Sequence, residues 1–305
     1  MKGLELCRRF YRECVSPELQ KKFGAKAEEL AAGLAGQGSE CLGFDDELSQ
    51  DHDFGPGCSL WLTQEAFEDF GAELEVFYRG LPVTFLGYTR NTMPQAAGRV
   101  GVTTVGRFYR QFTGLADAPE DNLSWFRIPE HFLACATSGE VFTDPVGEFT
   151  RIREALLSGY PRDVFLKKLA ARVFTMAQAG QYNYPRILKR DDSVAASFAL
   201  AEFTEAALSA LHLLNGRYMP YYKWAFKSAE RLTQGAETVQ ALRRLYALPE
   251  ERRGEAVEET AQLMKGELVR LGLSSSRESF LVPHAEELMS QITDSRLKSM
   301  SISVG

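Results

Sequence analysis

The sequence predicts an α+β fold in two parts, a mixed sheet with flanking helices over residues 1–150 and an all-helical bundle over 151–305. Short apolar and β-branched runs, among them "CSLWLT", "AELEVFYRG" and "RVGVTTVGRFY", give the first part the texture of strands. From about residue 150 the apolar residues recur every three to four positions, the spacing of helices. The two parts also differ in charge, with 13 Lys+Arg against 23 Asp+Glu up to residue 150 and 22 against 18 after it. Either this asymmetry is chance, or the acidic half holds cations while the other helps hold an anion.

The elements follow in order. The opening reads as a helix through Leu4, Phe10, Tyr11 and Val15, and Ser16 before Pro17 signals a fresh helix start with Gly24 as its stop. "AEELAAGLAGQGS" is too rich in Ala and Gly for periodicity to decide between helix and strand. The three strand-like runs come next. The stretch 149–181 is helical with a break at Gly159 to Pro161. "DDSVAASFALAEFTEAALSALHLLNG" carries both ends of a helix, Asp192 or Ser193 as N-cap and Gly216 just past the end. It is apolar nearly all round, with Glu202 and Glu205 on its acidic face, so it belongs at the centre of the bundle. Helical stretches over 223–247 and 250–272 follow, and the tail "SRLKSMSISVG" reads as weakly ordered.

Composition narrows the function classes. A hydrophobic content of 45% over 305 residues is enough for a core in each part. No run approaches the roughly 18 uninterrupted apolar residues of a membrane span, and no secretory signal is visible. Five scattered cysteines, never spaced CxxC, argue against a disulfide framework and a zinc ribbon and for a reducing, cytoplasmic setting. Neither half is basic enough for general nucleic-acid affinity, so a nucleic-acid partner and a membrane partner are both disfavoured.

The most informative stretch is "GSECLGFDDELSQDHDFGP", residues 38–56, where Asp45, Asp46, Glu47, Asp51 and Asp53 follow a Gly-Ser pair. If "DHDF" is a strand, its period of two projects Asp51 and Asp53 to one face and His52 to the other. Two side-by-side carboxylates plus phosphate oxygens make a set that Mg²⁺ accepts. Gly38 lets the backbone approach a phosphate, and Ser39 with its neighbouring amides can donate to it. A calcium loop fails, because Gly55 and Pro56 occupy positions that need a carboxylate and the turn glycine. A zinc site from His52 and Cys58 is weak for want of further ligands. On composition alone, a solvated polar loop stands beside the metal site as a reading.

A Gly-Ser pair followed by Asp-x-Asp resembles the signature of the DNA polymerase β-like nucleotidyltransferase superfamily; here eleven residues separate Ser39 from Asp51. Three longer stretches, this one, "GEVFTDPVGEFTRIREALLSGYPRDVF" and "GRYMPYYKWAF", resemble successive signatures of the DUF4037 family, a bacterial group linked with nucleotidyltransferases. The resemblance implies a nucleotidyltransferase-like catalytic domain over 1–150, a helical bundle domain over 151–305, and transfer of NMP from an NTP, ATP by default. It implies that Gly38 and Ser39 contact the nucleotide phosphates and that Asp51 and Asp53 are the catalytic Mg²⁺ ligands. The acceptor would be the hydroxyl or phosphate of a small molecule or protein. The superfamily usually carries a third carboxylate on a later strand, yet in "RVGVTTV" the middle position is Gly101, which leaves Glu75, Asp144 or Glu148 as substitutes. A catalytically weak nucleotide sensor of the same fold is the alternative.

Other residues carry paired readings. In "YMPYYKWAF", Lys223 either reaches a nucleotide phosphate or snorkels from an aromatic plug. Arg186, Lys189 and Arg190, and likewise Arg151 and Arg153, are either phosphate contacts or surface charge. His131, His212 and His284 sit singly among apolar neighbours and read as satisfied structural residues.

Overall fold

A computed structural model describes residues 1–50, 54–90 and 99–305. The fold is α+β, a mixed four-stranded sheet with helices followed by a mostly helical C-terminal part. The chain divides into two compact units, residues 1–118 with 132–158, and residues 119–131 with 159–305.

In the first unit the sheet has the order β5-β2-β1-β6. Its central strand β1 (Leu30–Leu34) lies antiparallel to β2 (Ser59–Leu62) and to β6 (Glu140–Thr143), while β5 (Gly101–Thr104) runs parallel to β2. Every residue of β1 is buried, which explains its small side chains. A Cβ on Gly33 would collide with the Glu140 carbonyl oxygen and stand 2.9 Å from the Trp61 ring. On the opposite face of the sheet from the N-terminal helix, Trp61 stacks on Phe149 with ring centroids 4.0 Å apart and meets Phe108 edge-on. A two-stranded hairpin, β3 (Thr84–Phe85) with β4 (Tyr88–Thr89), completes the strands among the described residues.

Three local expectations are corrected. "AELEVFYRG" belongs to the helix Gln64–Arg79, not to a strand. Its alternation is a short window on the longer spacing Ala66, Phe70, Leu74, Tyr78, and Thr63 caps the start by accepting from the Ala66 amide at 3.1 Å. "RVGVTTVGRFY" is a strand only to Thr104, whose hydroxyl accepts from the Arg107 amide at 3.1 Å and opens the helix Val105–Thr113. Ser16 does not start a new helix. The N-terminal helix Gly3–Phe10 passes through a π-helical turn at Tyr11–Val15 into Ser16–Phe23, and this widened turn admits Pro17, which lacks an N–H.

In the second unit, Ser193–Leu214 is the central helix, packed against Arg162–Thr175, the π-helical Met176–Asn183, Tyr184–Leu188 and Tyr222–Ala229. By length and composition it is long and apolar enough to cross a membrane, but over half of it is buried inside the protein, as in a core helix. Asp192 caps it, accepting from the Ala195 amide at 2.9 Å. A Cβ on Gly180 would drive into the Phe203 ring, so glycine is what lets the π-helical segment lie against the central helix. The expected helix over 223–247 is interrupted. Asn215 bonds the Gln234 amide (2.9 Å) and carbonyl (3.2 Å), Gly235 takes φ +85°, and a second helix, Ala236–Ala247, begins there. The tail is also more regular than its composition predicts. Ser295–Lys298 is helical, Leu297 is fully buried, and Lys167 donates to the carbonyls of Ser301 (2.9 Å) and Val304.

Candidate functional site

The Gly-Ser turn sits at one end of the sheet in the first unit. β1 ends at Leu34, Gly36 takes φ +110° and Gly38 φ +129°, and Ser39 opens the four-residue helix Ser39–Leu42. A side chain at Gly38 would meet the Arg99 guanidinium and, at 2.6 Å, a Glu40 carboxylate oxygen. The turn is therefore wrapped around an ion pair, since Arg99 binds Glu40 and donates to the Gln37 carbonyl at 3.0 Å. The register brings Ser59 and Gly101 to the same end, with Gly33 opposite Ser59 and Ser59 opposite Gly101. The cavity here, between Gly3, Cys7, Gly57 and Arg99, holds only about 40 Å³. That is the volume of about one water molecule.

Asp51 and Asp53, with His52 between them, lie outside the described residues. The acids just upstream have structural partners. Asp45 is buried and accepts from the Gly3 amide at 2.8 Å, pinning the first helix together with Lys2. Asp46 accepts from the Ser49 amide at 3.1 Å and forms a capping box over the turn Glu47–Ser49. Among the described residues no three His, Cys, Asp or Glu side chains cluster as a metal site.

The substitutes for a third carboxylate are held elsewhere in this unit. Glu75 is on the outer helix, 3.6 Å from Arg79. Asp144 accepts from the amides of Gly147 (3.0 Å) and Thr150 (2.7 Å), capping the helix Glu148–Leu157. It follows β6 at the end where Thr143 pairs with Ala32, whereas Glu140, at the Gly38 end, pairs with Leu34. Glu148 lies one residue before Phe149, and burial pushes its carboxyl pKa up; one of its oxygens is buried without a hydrogen-bond partner among the described residues.

The basic candidates of the first unit are engaged. Arg151 forms a fork on Asp117 at 2.9 and 2.7 Å, and Arg153 donates to the carbonyls of Thr137 (2.7 Å) and Gly139 (3.0 Å). In the second unit Arg186 lies over the Tyr182 ring at 3.4 Å, and exposed Lys223 stands 5.2 Å over Trp224. His212 bonds Leu208 (2.7 Å) and Ser228 (2.9 Å), and His284 bonds Ser274 (2.7 Å) and Glu278 (3.0 Å), so both are satisfied core histidines. His131 meets Tyr221 edge-on at 6.4 Å.

A feature that sequence reasoning missed lies wholly within the second unit, a cavity of about 1080 Å³. Its polar floor is a buried network. Glu130 accepts from Ser209 (2.8 and 2.9 Å) and from Arg172 (3.2 Å), and Arg172 Nε donates to Ser209 at 2.9 Å. Beside it lies Lys168, 3% exposed, with its ammonium 5.2 Å over both the Phe126 and Tyr160 rings. Burial pushes the Lys168 pKa down to about 8, against the attraction of Glu130. The aromatic side chains Tyr221 and Tyr222 lie together at the cavity edge with ring centroids 4.3 Å apart, and Tyr222 is 74% exposed. The sequence did hold a signal, since "FLKKLAARVF" places two lysines where a helix this apolar buries most of its positions.

Compared with known proteins, residues 125–225 match a domain of unknown function, DUF4037. No curated protein and no solved structure matches the chain. The matched region includes most of the cavity wall, from Phe126 to Ala225, and ends upstream well short of the Gly38 turn.

Proposed function

We propose that this chain is a Mg²⁺-dependent nucleotidyltransferase that moves a nucleoside monophosphate, AMP by default, from an NTP to a hydroxyl or phosphate on a small-molecule or protein acceptor. The observation that carries the proposal is the Gly38 turn. A glycine at φ +129° after a buried central strand, followed by Ser39 at the first turn of a helix, is backbone that approaches a phosphate closely. Asp51 and Asp53 enter the chain shortly before β2, whose first residue Ser59 lies at that same end of the sheet.

Asp51 and Asp53 would hold the metal, two hard oxygen donors of the kind Mg²⁺ prefers. Mg²⁺ bound there supplies charge neutralisation for the triphosphate. Gly38 and Ser39 orient the phosphates. Arg99, which binds Glu40 and the Gln37 carbonyl beside the turn, is the nearby cation that a phosphate there would meet. Five free cysteines support a reducing, cytoplasmic setting.

One observation favours the second reading, a nucleotide sensor with little turnover. Gly101, at φ +120°, occupies the strand position expected for the third acid, and Glu75 and Asp144 are committed to other partners. Pyrophosphate release from each of the four NTPs with Mg²⁺ and pools of small-molecule and protein acceptors, in wild type and in Asp51→Asn/Asp53→Asn, tests the proposal. Release that the double substitution abolishes supports the transferase. Nucleotide binding without release supports the sensor, and neither binding nor release removes both.

A further inference from the structure

A charge that is buried without a counter-ion is costly, and side chains in such positions either find a partner or lose their proton. The second unit contains one. Lys168 is 3% exposed and lines the 1080 Å³ cavity, and among the described residues its Nζ has no carboxylate or carbonyl within hydrogen-bonding distance. Its neighbours are already used. Glu130 accepts from Ser209 and Arg172, and Arg243 pairs with Glu230. Lys167, on the same helix, differs in that it bonds the carbonyls of Ser301 and Val304. The adjoining Tyr160 hydroxyl is buried with no hydrogen-bond partner among the described residues. The floor of the cavity thus carries an ammonium that lies over aromatic faces with no direct ion-pair or hydrogen-bond partner among the described residues, while Arg127 and Glu205 line the same wall.

The rest of the wall has a complementary chemistry. Phe126, Tyr221, Tyr222 and Phe226 give flat, largely apolar faces, and the Thr204–Tyr246 hydroxyl pair, 3.0 Å apart, offers a neutral polar handle. A ligand site built this way, mostly apolar with a few convergent polar groups, is the common form of small-molecule pocket. We infer that this cavity binds a flat organic anion, whose anionic group pairs with the Lys168 ammonium and whose apolar body lies against Tyr221 and Tyr222. The site stands on the second unit alone and does not depend on nucleotide chemistry at Gly38.

The test is calorimetric titration of the full chain at pH 7 with naphthoate and naphthyl phosphate, each against the neutral naphthamide, in wild type, Lys168→Met and Tyr222→Ala. The expected result is saturable binding of at least one anion, at least about tenfold weaker for naphthamide and for Lys168→Met, as loss of a buried ion pair requires. Which anion binds more tightly separates a carboxylate ligand from a phosphate ligand. Tyr222→Ala weakens the anion several-fold and, being exposed, folds whatever becomes of Lys168→Met. Asp51→Asn/Asp53→Asn leaves the binding unchanged. Saturable binding of neither anion, or anion binding that neither Lys168→Met nor Tyr222→Ala weakens, overturns the inference.

Discussion

The Gly38 end of the sheet and the cavity of the helical unit are each built around an Arg–Glu ion pair, and they differ in what the pair leaves over. At Gly38 the Arg99–Glu40 pair fills the turn, and the space beside it is about 40 Å³. In the cavity the Arg172–Glu130 pair closes on itself through Ser209, leaving Lys168 uncompensated beside about 1080 Å³. The first region has a glycine at φ +129° ahead of a short helix, the feature on which the proposed phosphate contact rests. The second has both room and a spare charge. A short motif reports backbone geometry, whereas readiness for a ligand is reported by which charges lack partners.

Substitutions can break that comparison. Glu130→Leu has the largest expected effect, a loss of about 3–5 kcal/mol in urea unfolding, because it strands Arg172 and Lys168 together in a buried network. An unchanged midpoint would mean that the pair is not the keystone of the floor. Gly38→Ala should cost about 1–3 kcal/mol, for a side chain in backbone that glycine alone adopts freely and against Arg99 and Glu40, and it should abolish any nucleotide-dependent rise in Tm, leaving anion binding in the helical unit intact.

Lys168→Met goes the other way, with stability at pH 7 unchanged or raised by on the order of 1 kcal/mol, because an uncompensated buried charge is removed. The pH dependence sharpens this. With Lys168 at about 8 in the folded protein against its ordinary 10.5, the unfolded chain holds a proton that the native state has lost between those values. Stability of the wild type therefore rises with pH across that window, and the destabilisation is fully present below pH 8. Glu130, Arg172 and Lys167 act on Lys168 most directly, and Arg127, His131, Glu205 and Arg243 line the same cavity. Lys167 is also pushed down to about 8 by burial, but its two carbonyl acceptors favour the charged form. The difference between wild type and Lys168→Met isolates the Lys168 part of the slope, and identical slopes would refute it. Arg151→Ala, which breaks an exposed fork on Asp117, should change stability by less than about 1 kcal/mol.

The parts legible in the sequence were those written in local chemistry. Asp192 and Gly216 mark the central helix because caps and left-handed glycines act within a few residues. The helix Gln64–Arg79 reads locally as a strand because an alternating run of four or five residues also fits a 3.6-residue period, and its cap Thr63 lies more than two turns before that run. The strand Leu30–Leu34 was ambiguous because its identity is set by neighbours far away in sequence, Trp61 and Glu140. Lys168 was missed for a like reason. Its lack of a partner depends on Glu130 being consumed by Arg172 and Ser209, which no local pattern records.

The most direct test of the central claim, that the Gly38 turn with Asp51 and Asp53 forms a metal-nucleotide site, is a thermal-shift titration with ATP in the presence and absence of Mg²⁺. A ligand at about 100 times its Kd stabilises the native state by about 2.7 kcal/mol. The account predicts a concentration-dependent rise in Tm for wild type that needs Mg²⁺ and disappears in Asp51→Asn/Asp53→Asn. A wild type that no NTP stabilises, or a double variant that responds as wild type does, would contradict it.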